Sequence, residues 1–155
     1  MCSSDLPEVS IQAKNALALA LARGGSVRSP KPLCEDAITT ATNSNDPQLL
    51  NGALLSCSEA MLDGGEMQRA LETVLRAQES FARFGKEDSE WRAWFIAAQA
   101  SKRLGKEAAA SKYASYAVNQ FSELEQKWGS EAYNTYLTRS DITHFRKQLD
   151  QLLKH

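Results

Sequence analysis

Residues 70–81 read ALETVLRAQESF, and residues 110–121 read ASKYASYAVNQF. Each stretch has an alanine at its first position, another alanine seven residues later and a phenylalanine four residues after that. Gly65 and Gly105 precede the two stretches by the same interval. Because apolar residues at these spacings share one face of a helix, the chain is predicted to repeat a helical unit every 40 residues.

Three further pairs of similarly placed residues are also 40 positions apart. They are Leu54 with Trp94, Ser58 with Ala98 and Val74 with Ala114. Small side chains at such positions let neighbouring helices approach closely. We therefore expect that a large residue at Ala70 or Ala110 would overpack the helix pair, at a cost of roughly 1–3 kcal/mol.

Glycines and polar turns divide the chain into predicted helices. In Asn-Asp-Pro, Asp46 is predicted to be the N-cap and Pro47 the first helical residue. The predicted helices cover about 8–23, 33–42, 47–63, 66–84, Asp88 or Ser89 to 104, 106–128, 130–138, and a last helix to 154 capped by Ser140 or Asp141. No segment reads better as a strand than as a helix.

The repeat resembles the tetratricopeptide repeat (TPR). That family has a bulky residue early in helix A, a small one four residues later, a small residue at the turn and two alanines in helix B. In this chain these positions are Leu54, Ser58, Gly65, Ala70 and Ala77, then Trp94, Ala98, Gly105, Ala110 and Ala117. The resemblance covers Pro47 to Trp128 and implies an all-α fold of antiparallel helical hairpins in a short right-handed α-solenoid with a C-terminal capping helix.

Two features depart from the family pattern. The period is 40 residues rather than the 34 of that family. Ala82 and Ser122 stand where a proline usually closes helix B. We divide the chain into a tail at 1–6, a degenerate helical hairpin at 7–44, TPR-like repeats at 45–86 and 87–129, and capping helices at 130–155.

The first and last segments of the sequence indicate that the chain is part of a longer protein. Residues 1–6, MCSSDL, match a translated sequencing adaptor preceded by a start codon, so we interpret them as non-native and the chain as a metagenomic fragment. The closing segment from about residue 123 resembles the end of repeat arrays in large bacterial multidomain regulatory proteins. Its last helix has an inward apolar stripe of Ile142, Phe145, Leu149 and Leu152 or Leu153.

The family resemblance also implies a ligand-binding face lined by helix A. Carried onto this chain, the peptide-binding groove consists of Leu55, Glu59 and Leu62 in the first repeat and Arg92, Phe95, Gln99, Lys102 and Arg103 in the second. Arg92, Gln99 and Arg103 recur on one helix face, a pattern suited to an acidic or extended peptide. The alternative for each residue is a solvated helix surface.

Composition narrows the classes of function. The net charge of −1 gives no basic field for nucleic acid or a membrane surface, and no apolar run is long enough to cross a bilayer. No signal peptide, nucleotide-binding glycine motif or catalytic arrangement is visible, and His144 beside Asp141 is better read as a surface contact. Cys2, Cys34 and Cys57 form no metal-binding pattern, and Cys57 falls on an apolar face, where a buried, inert thiol is expected.

We therefore expect a non-catalytic protein–protein interaction module, part of a larger bacterial signalling protein in the cytoplasm. Its partner is a protein or peptide, or its own upstream domain, with no cofactor, metal, nucleic acid, membrane or small-molecule substrate. The alternative is an intramolecular regulatory domain that controls an upstream kinase, peptidase, ATPase or transcription-factor domain. A free-standing helical enzyme or DNA-binding protein is a third reading, which the near-neutral charge and the lack of a catalytic cluster disfavour.

Overall fold

A computed structural model describes residues 7–24, 29–84 and 87–154 of the chain. In these residues every regular element is a helix, so the all-α prediction is confirmed there. The helices are α1 (Pro7–Arg23), α2 (Lys31–Asn43), α3 (Pro47–Asp63), α4 (Met67–Phe84), α5 (Glu87–Arg103), α6 (Glu107–Trp128), α7 (Ser130–Leu137) and α8 (Ser140–Leu153). The interpretation of residues 1–6 as adaptor-derived lies outside the described residues.

The helix starts agree with the sequence signals at one position and differ at two. The carboxylate of Asp46 accepts a hydrogen bond from the backbone N–H of Gln48 at 2.9 Å, and Pro47 is the first residue of α3, as predicted. The predicted caps of two other helices were wrong. Asp88 and Ser89 lie inside α5, which begins at Glu87, and Ser140 is already the first residue of α8, whose N-cap is Arg139.

The turns that join α3 to α4 and α5 to α6 have the same hydrogen-bond pattern. In the first, the N–H of Glu66 donates to the Met61 carbonyl at 2.8 Å; in the second, Lys106 donates to Ser101 at 2.9 Å. Gly65 (φ 85°) and Gly105 (φ 74°) occupy the left-handed position of this turn. The repeat seen in the sequence therefore recurs in backbone geometry, 40 residues apart.

The repeat also recurs in the core. Residues of α4 and the residues of α6 that follow them by 40 positions are buried alike, with exposures of 0–5%. The pairs are Ala70 with Ala110, Val74 with Ala114, Ala77 with Ala117 and Phe81 with Phe121. The pair Leu54 and Trp94 differs, because Leu54 is buried whereas Trp94 is half-buried and stacks on Tyr113 with centroids 5.6 Å apart.

Each helix packs mainly against its neighbours in the chain. From α1 to α6 every helix contacts the next, and α1 and α3 each also contact the helix two places on. The exception is α8, which packs on α7 and α6 and reaches back to α5. The inward stripe of α8 is confirmed: Ile142, Leu149 and Leu152 are buried, whereas Leu153 is exposed.

Trp91 lies where these last helices meet. Its ring is fully buried, with centroids 4.8 Å from Phe121 and 5.5 Å from Phe145. Its indole N–H donates to the hydroxyl of Tyr136 in α7. One side chain of α5 thus contacts α6, α7 and α8, and this anchors α8 beside α5.

Candidate functional site

A cavity of about 560 Å³ lies between α3, α5 and α8, and we call it the α3–α5–α8 groove. Its lining residues are Leu55, Glu59, Leu62 and Asp63 from α3, Arg92, Phe95, Ile96, Gln99 and Arg103 from α5, and His144, Phe145 and Gln148 from α8. Every helix A residue that the sequence assigned to a groove therefore lies in one cavity, except Lys102.

Lys102 is the exception, although its spacing alone does not set it apart. Consecutive residues of an α-helix are about 100° apart around its axis, so Lys102, seven residues after Phe95, lies within about 20° of it. Gln99 and Arg103, four residues apart, face the α3–α5–α8 groove, whereas Lys102 is not among the residues that line it.

The floor of the α3–α5–α8 groove is apolar. Phe95 and Ile96 are 3% and 5% exposed. The ring of Phe145 crosses from α8 and meets Phe95 edge-on, with centroids 5.1 Å apart. Leu55 and Leu62 complete the apolar surface from α3. Because Phe95 and Ile96 are already nearly buried, the apolar area that a ligand could cover comes mainly from the half-buried Leu55 and Phe145, at about 25 cal/mol per Å².

Arg92 stands at the end of the groove nearest the start of α8. Its guanidinium lies 3.8 Å from the Asp141 carboxylate, 5.6 Å from the centre of the Trp91 ring and 5.3 Å from that of Phe145. Hydrogen bonding from Arg139 is the main cause that lowers the pKa of Asp141, with smaller contributions from Ile142 N–H and the charge of Arg92. Asp141 therefore stays ionised and offsets part of the Arg92 charge.

Arg103 stands at the opposite end of the groove. Its Nη1 donates to the carbonyl of Leu62 at 3.1 Å and lies 3.9 Å from the Met67 sulfur. This carbonyl is in the last turn of α3, where the helix dipole places partial negative charge. Both arginines are thus oriented by neighbouring helices, and each would have to share or exchange a contact to meet a ligand.

Two amides and an imidazole line the middle of the groove. Gln99 Nε2 donates to Gln148 Oε1 at 3.0 Å, and Gln148 Nε2 lies 3.0 Å from His144 Nε2. These side chains join α5 to α8 and present further amide and imidazole atoms to the cavity.

The formal charges of the lining residues balance. Glu59 and Asp63 oppose Arg92 and Arg103. The positive charge of the two α5 arginines is therefore offset by the negative charge of the two α3 carboxylates. The groove therefore carries charged side chains of both signs.

Sequence reasoning missed part of this site. Asp63 and Ile96 lie beside assigned residues, but His144, Phe145 and Gln148 belong to a helix that the sequence marks only as a cap. The position of Phe145 on the inward apolar stripe of α8 is the sequence signal from which a contribution of α8 to the groove could have been predicted. His144 contacts Gln148, whereas Asp141 pairs with Arg139 and Arg92, so the expected contact between His144 and Asp141 is replaced by these pairs.

In the described part of the chain, no group of three or more His, Cys, Asp or Glu side chains could hold a metal ion. None of the helices it contains combines the length and apolarity that a bilayer crossing requires. Comparison with protein-family models, curated proteins and solved structures finds no match.

Proposed function

We propose that this chain is a non-catalytic protein–protein interaction module, built as a TPR-like α-solenoid, and that the α3–α5–α8 groove binds a segment of a partner protein. The observation that carries the proposal is the convergence of the helix A residues Leu55, Glu59, Arg92, Phe95, Gln99 and Arg103 in one cavity. They come from two helices of successive 40-residue units.

The size and chemistry of the groove support a peptide ligand. A volume of about 560 Å³ falls within the range of roughly 300–1,000 Å³ typical of ligand sites. An apolar floor surrounded by seven polar or charged side chains suits one apolar anchor side chain flanked by polar backbone. The segment we propose therefore has one large apolar residue for Phe95, Ile96 and Phe145, with polar neighbours of mixed charge.

The test is a selection for peptides followed by a matched pair of variants. Peptides from a random display library are selected on the purified chain, and the dissociation constant of the best is measured by calorimetry. Leu55→Glu places a charge on the groove floor, whereas Leu153→Glu makes the same change on an exposed residue outside it. We expect Leu55→Glu to weaken binding at least tenfold, about 1.4 kcal/mol, and Leu153→Glu to leave it unchanged.

A second pair of variants tests the end of the groove where Arg103 lies. Arg103 lines the groove and Lys102, the adjacent residue, does not. Arg103→Glu should weaken binding, because it reverses a charge at the site and removes the contact with the Leu62 carbonyl. Lys102→Glu should not. The groove is not the binding site if the groove variant and the control variant of each pair change the dissociation constant equally, or if no peptide can be selected.

An alternative is an intramolecular regulatory domain that packs against an upstream domain of the same protein. The observation in its favour is the outer face of α1, where Val9 is 46% and Leu17 is 51% exposed. These residues lie eight positions apart, about two turns on one helix face. If this reading holds, joining the chain to its native upstream sequence should protect the amides of α1 from hydrogen exchange. No such protection would be seen for a module that acts only by docking.

A further inference from the structure

Three aromatic rings from two helices form a cluster on the side of α5 opposite the groove. Trp94 follows Arg92 by two residues, so it lies about 200° from that groove residue around the helix axis. The Trp94 ring stacks on Tyr113 of α6 with centroids 5.6 Å apart, and it meets the Tyr116 ring at 62° with centroids 4.9 Å apart. Lys112 Nζ lies 5.8 Å from the centre of the Tyr116 ring. We call Trp94, Lys112, Tyr113 and Tyr116 the α5–α6 aromatic patch.

The α5–α6 aromatic patch is open to solvent. Tyr116 is 36% exposed, and Trp94 and Tyr113 are half-buried, so each of the three side chains keeps part of its area in water. Trp91, the other tryptophan of α5, is completely buried, and its N–H donates to Tyr136. Among the residues that the structure describes, none accepts a hydrogen bond from the indole N–H of Trp94. A partner is therefore able to reach both the rings and this donor.

The polar atoms of the patch are mainly hydrogen-bond donors. The indole N–H of Trp94 and the ammonium group of Lys112 can only donate, and the two tyrosine hydroxyls can donate or accept. A matching ligand therefore presents acceptors next to apolar surface. A proline-rich segment has this chemistry, because proline has no N–H and the polyproline II backbone leaves its carbonyls without internal hydrogen bonds. Proline rings also pack well on surfaces lined by aromatic side chains.

We propose that the α5–α6 aromatic patch is a second interaction surface, and that it binds a proline-rich segment in the polyproline II conformation. Proline rings of the ligand pack on the exposed parts of Trp94 and Tyr116. Ligand carbonyls accept hydrogen bonds from the Trp94 indole N–H and from Lys112. Because the patch and the α3–α5–α8 groove lie on opposite sides of α5, the chain would hold two partner segments that do not compete.

Single-stranded nucleic acid is the other polymer that stacks on exposed aromatic side chains. Proteins bind it with a positively charged groove that follows the phosphates. The patch contains a single lysine, and the whole chain has a net charge of −1. A proline-rich backbone is uncharged and needs no positive field. The charge of the protein therefore favours the proline-rich ligand.

The test measures binding of a fluorescein-labelled decaproline peptide to the whole chain by fluorescence anisotropy. A Gly-Ser peptide of the same length is the control, because it is a flexible coil without proline rings. Labelled oligo(dT) is the nucleic-acid competitor. We expect saturable binding of decaproline with a dissociation constant below about 1 mM, and much weaker binding of the other two.

The matched variants are Tyr116→Ala and Val118→Ala. Both residues are 36% exposed on α6, but Val118 is outside the patch. We expect Tyr116→Ala to weaken decaproline binding by about fivefold or more, as truncation of an interface aromatic residue does, and Val118→Ala to leave it unchanged. Circular dichroism melts verify that both variants are folded, which their exposed positions favour.

Several outcomes would overturn the proposal. They are no binding of decaproline, equal binding of the Gly-Ser peptide, tighter binding of oligo(dT), and equal losses in the two alanine variants. Binding that survives Tyr116→Ala but is lost in Leu55→Glu would place the ligand in the α3–α5–α8 groove and would also overturn it. The patch and the groove share no residue, so a failure here is distinct from a failure of the proposed function.

Discussion

The indole Nε1 of Trp91 donates a hydrogen bond to the hydroxyl oxygen of Tyr136 over 2.9 Å. Trp91 is in the core of α5, whereas Tyr136 is in α7, a helix of 8 residues. A helix this short is not stable alone in water, so α7 depends on its contacts with the rest of the protein. Trp128 adds a second contact, because its ring meets that of Tyr136 edge-on with centroids 5.2 Å apart.

This bond is predicted to couple the two residues energetically. Trp91→Phe removes the donor and leaves a small space, and Tyr136→Phe leaves the buried indole N–H without this acceptor. Each should lower the free energy of unfolding by about 1–3 kcal/mol. A double-mutant cycle in urea should give a coupling of about 0.5–1.5 kcal/mol. If the double variant loses the sum of the two single losses in free energy of unfolding, the hydrogen bond makes no specific contribution to stability.

The repeated turn makes a prediction about glycine. Gly105 has φ 74°, and a methyl group on its Cα would meet nothing within 4 Å, so alanine there meets backbone strain rather than a clash. Gly105→Ala should destabilise the protein by about 1–2 kcal/mol. Gly52 is the matched control, since it lies inside α3, is exposed and has nothing within 4 Å. Gly52→Ala should stabilise by roughly 0.5–1 kcal/mol. Thermal melts that show the same sign for both would contradict this reading.

The close approach of α5 and α6 makes a prediction about alanine. Ala110 is 2% exposed and contributes to the buried face of α6. Ala110→Leu should cost roughly 1–3 kcal/mol, because the larger side chain forces the helices apart. Ala108→Leu is the same change two residues earlier on an exposed position, and it should be nearly neutral. Chemical denaturation of the pair checks this, and a stabilised Ala110→Leu would show that the interface has room.

Asp141 makes a prediction about pH. Its pKa in the folded protein is lowered, chiefly by the hydrogen bond from Arg139, below the usual carboxylate value of about 3.9. A lowered folded-state pKa stabilises the protein above the unfolded value, and this stabilisation is lost as the pH falls through the folded value. The difference in Tm between the parent and Asp141→Asn should thus be complete at neutral pH and shrink below about pH 4. A difference independent of pH would assign the effect to packing instead.

Much of the fold was predictable because the chain marks its helix ends. Pro47 after Asp46, and Gly65 and Gly105 at the turns, have strong local preferences that tertiary contacts did not override. The starts of α5 and α8 were misplaced because Asp, Ser and Glu are common both as caps and in first turns, so composition alone cannot separate these positions.

The site was predictable where it follows helix periodicity and not where it depends on a distant helix. Phe95, Gln99 and Arg103 share a face of α5 by spacing alone, as Leu55, Glu59 and Leu62 do in α3. Gln148 joins them through α8, and no spacing rule links residues in helices that meet only in three dimensions. Lys102 shows the other limit, because its spacing from Phe95 and Gln99 predicts the same helix face, yet it is not among the residues that line the cavity.

The order of packing has a consequence for how the chain folds. From α1 to α6, contacts join helices that are adjacent or nearly adjacent in the chain, and proteins dominated by such local contacts fold in microseconds to milliseconds. The contact between Gln99 and Gln148, which joins α5 to α8, spans 49 residues, close to the 42 between Asn15 and Cys57, which joins α1 to α3. Loop-closure entropy grows slowly with loop length, so it gives the docking of α8 no large extra cost. The three walls of the groove should therefore form on similar timescales.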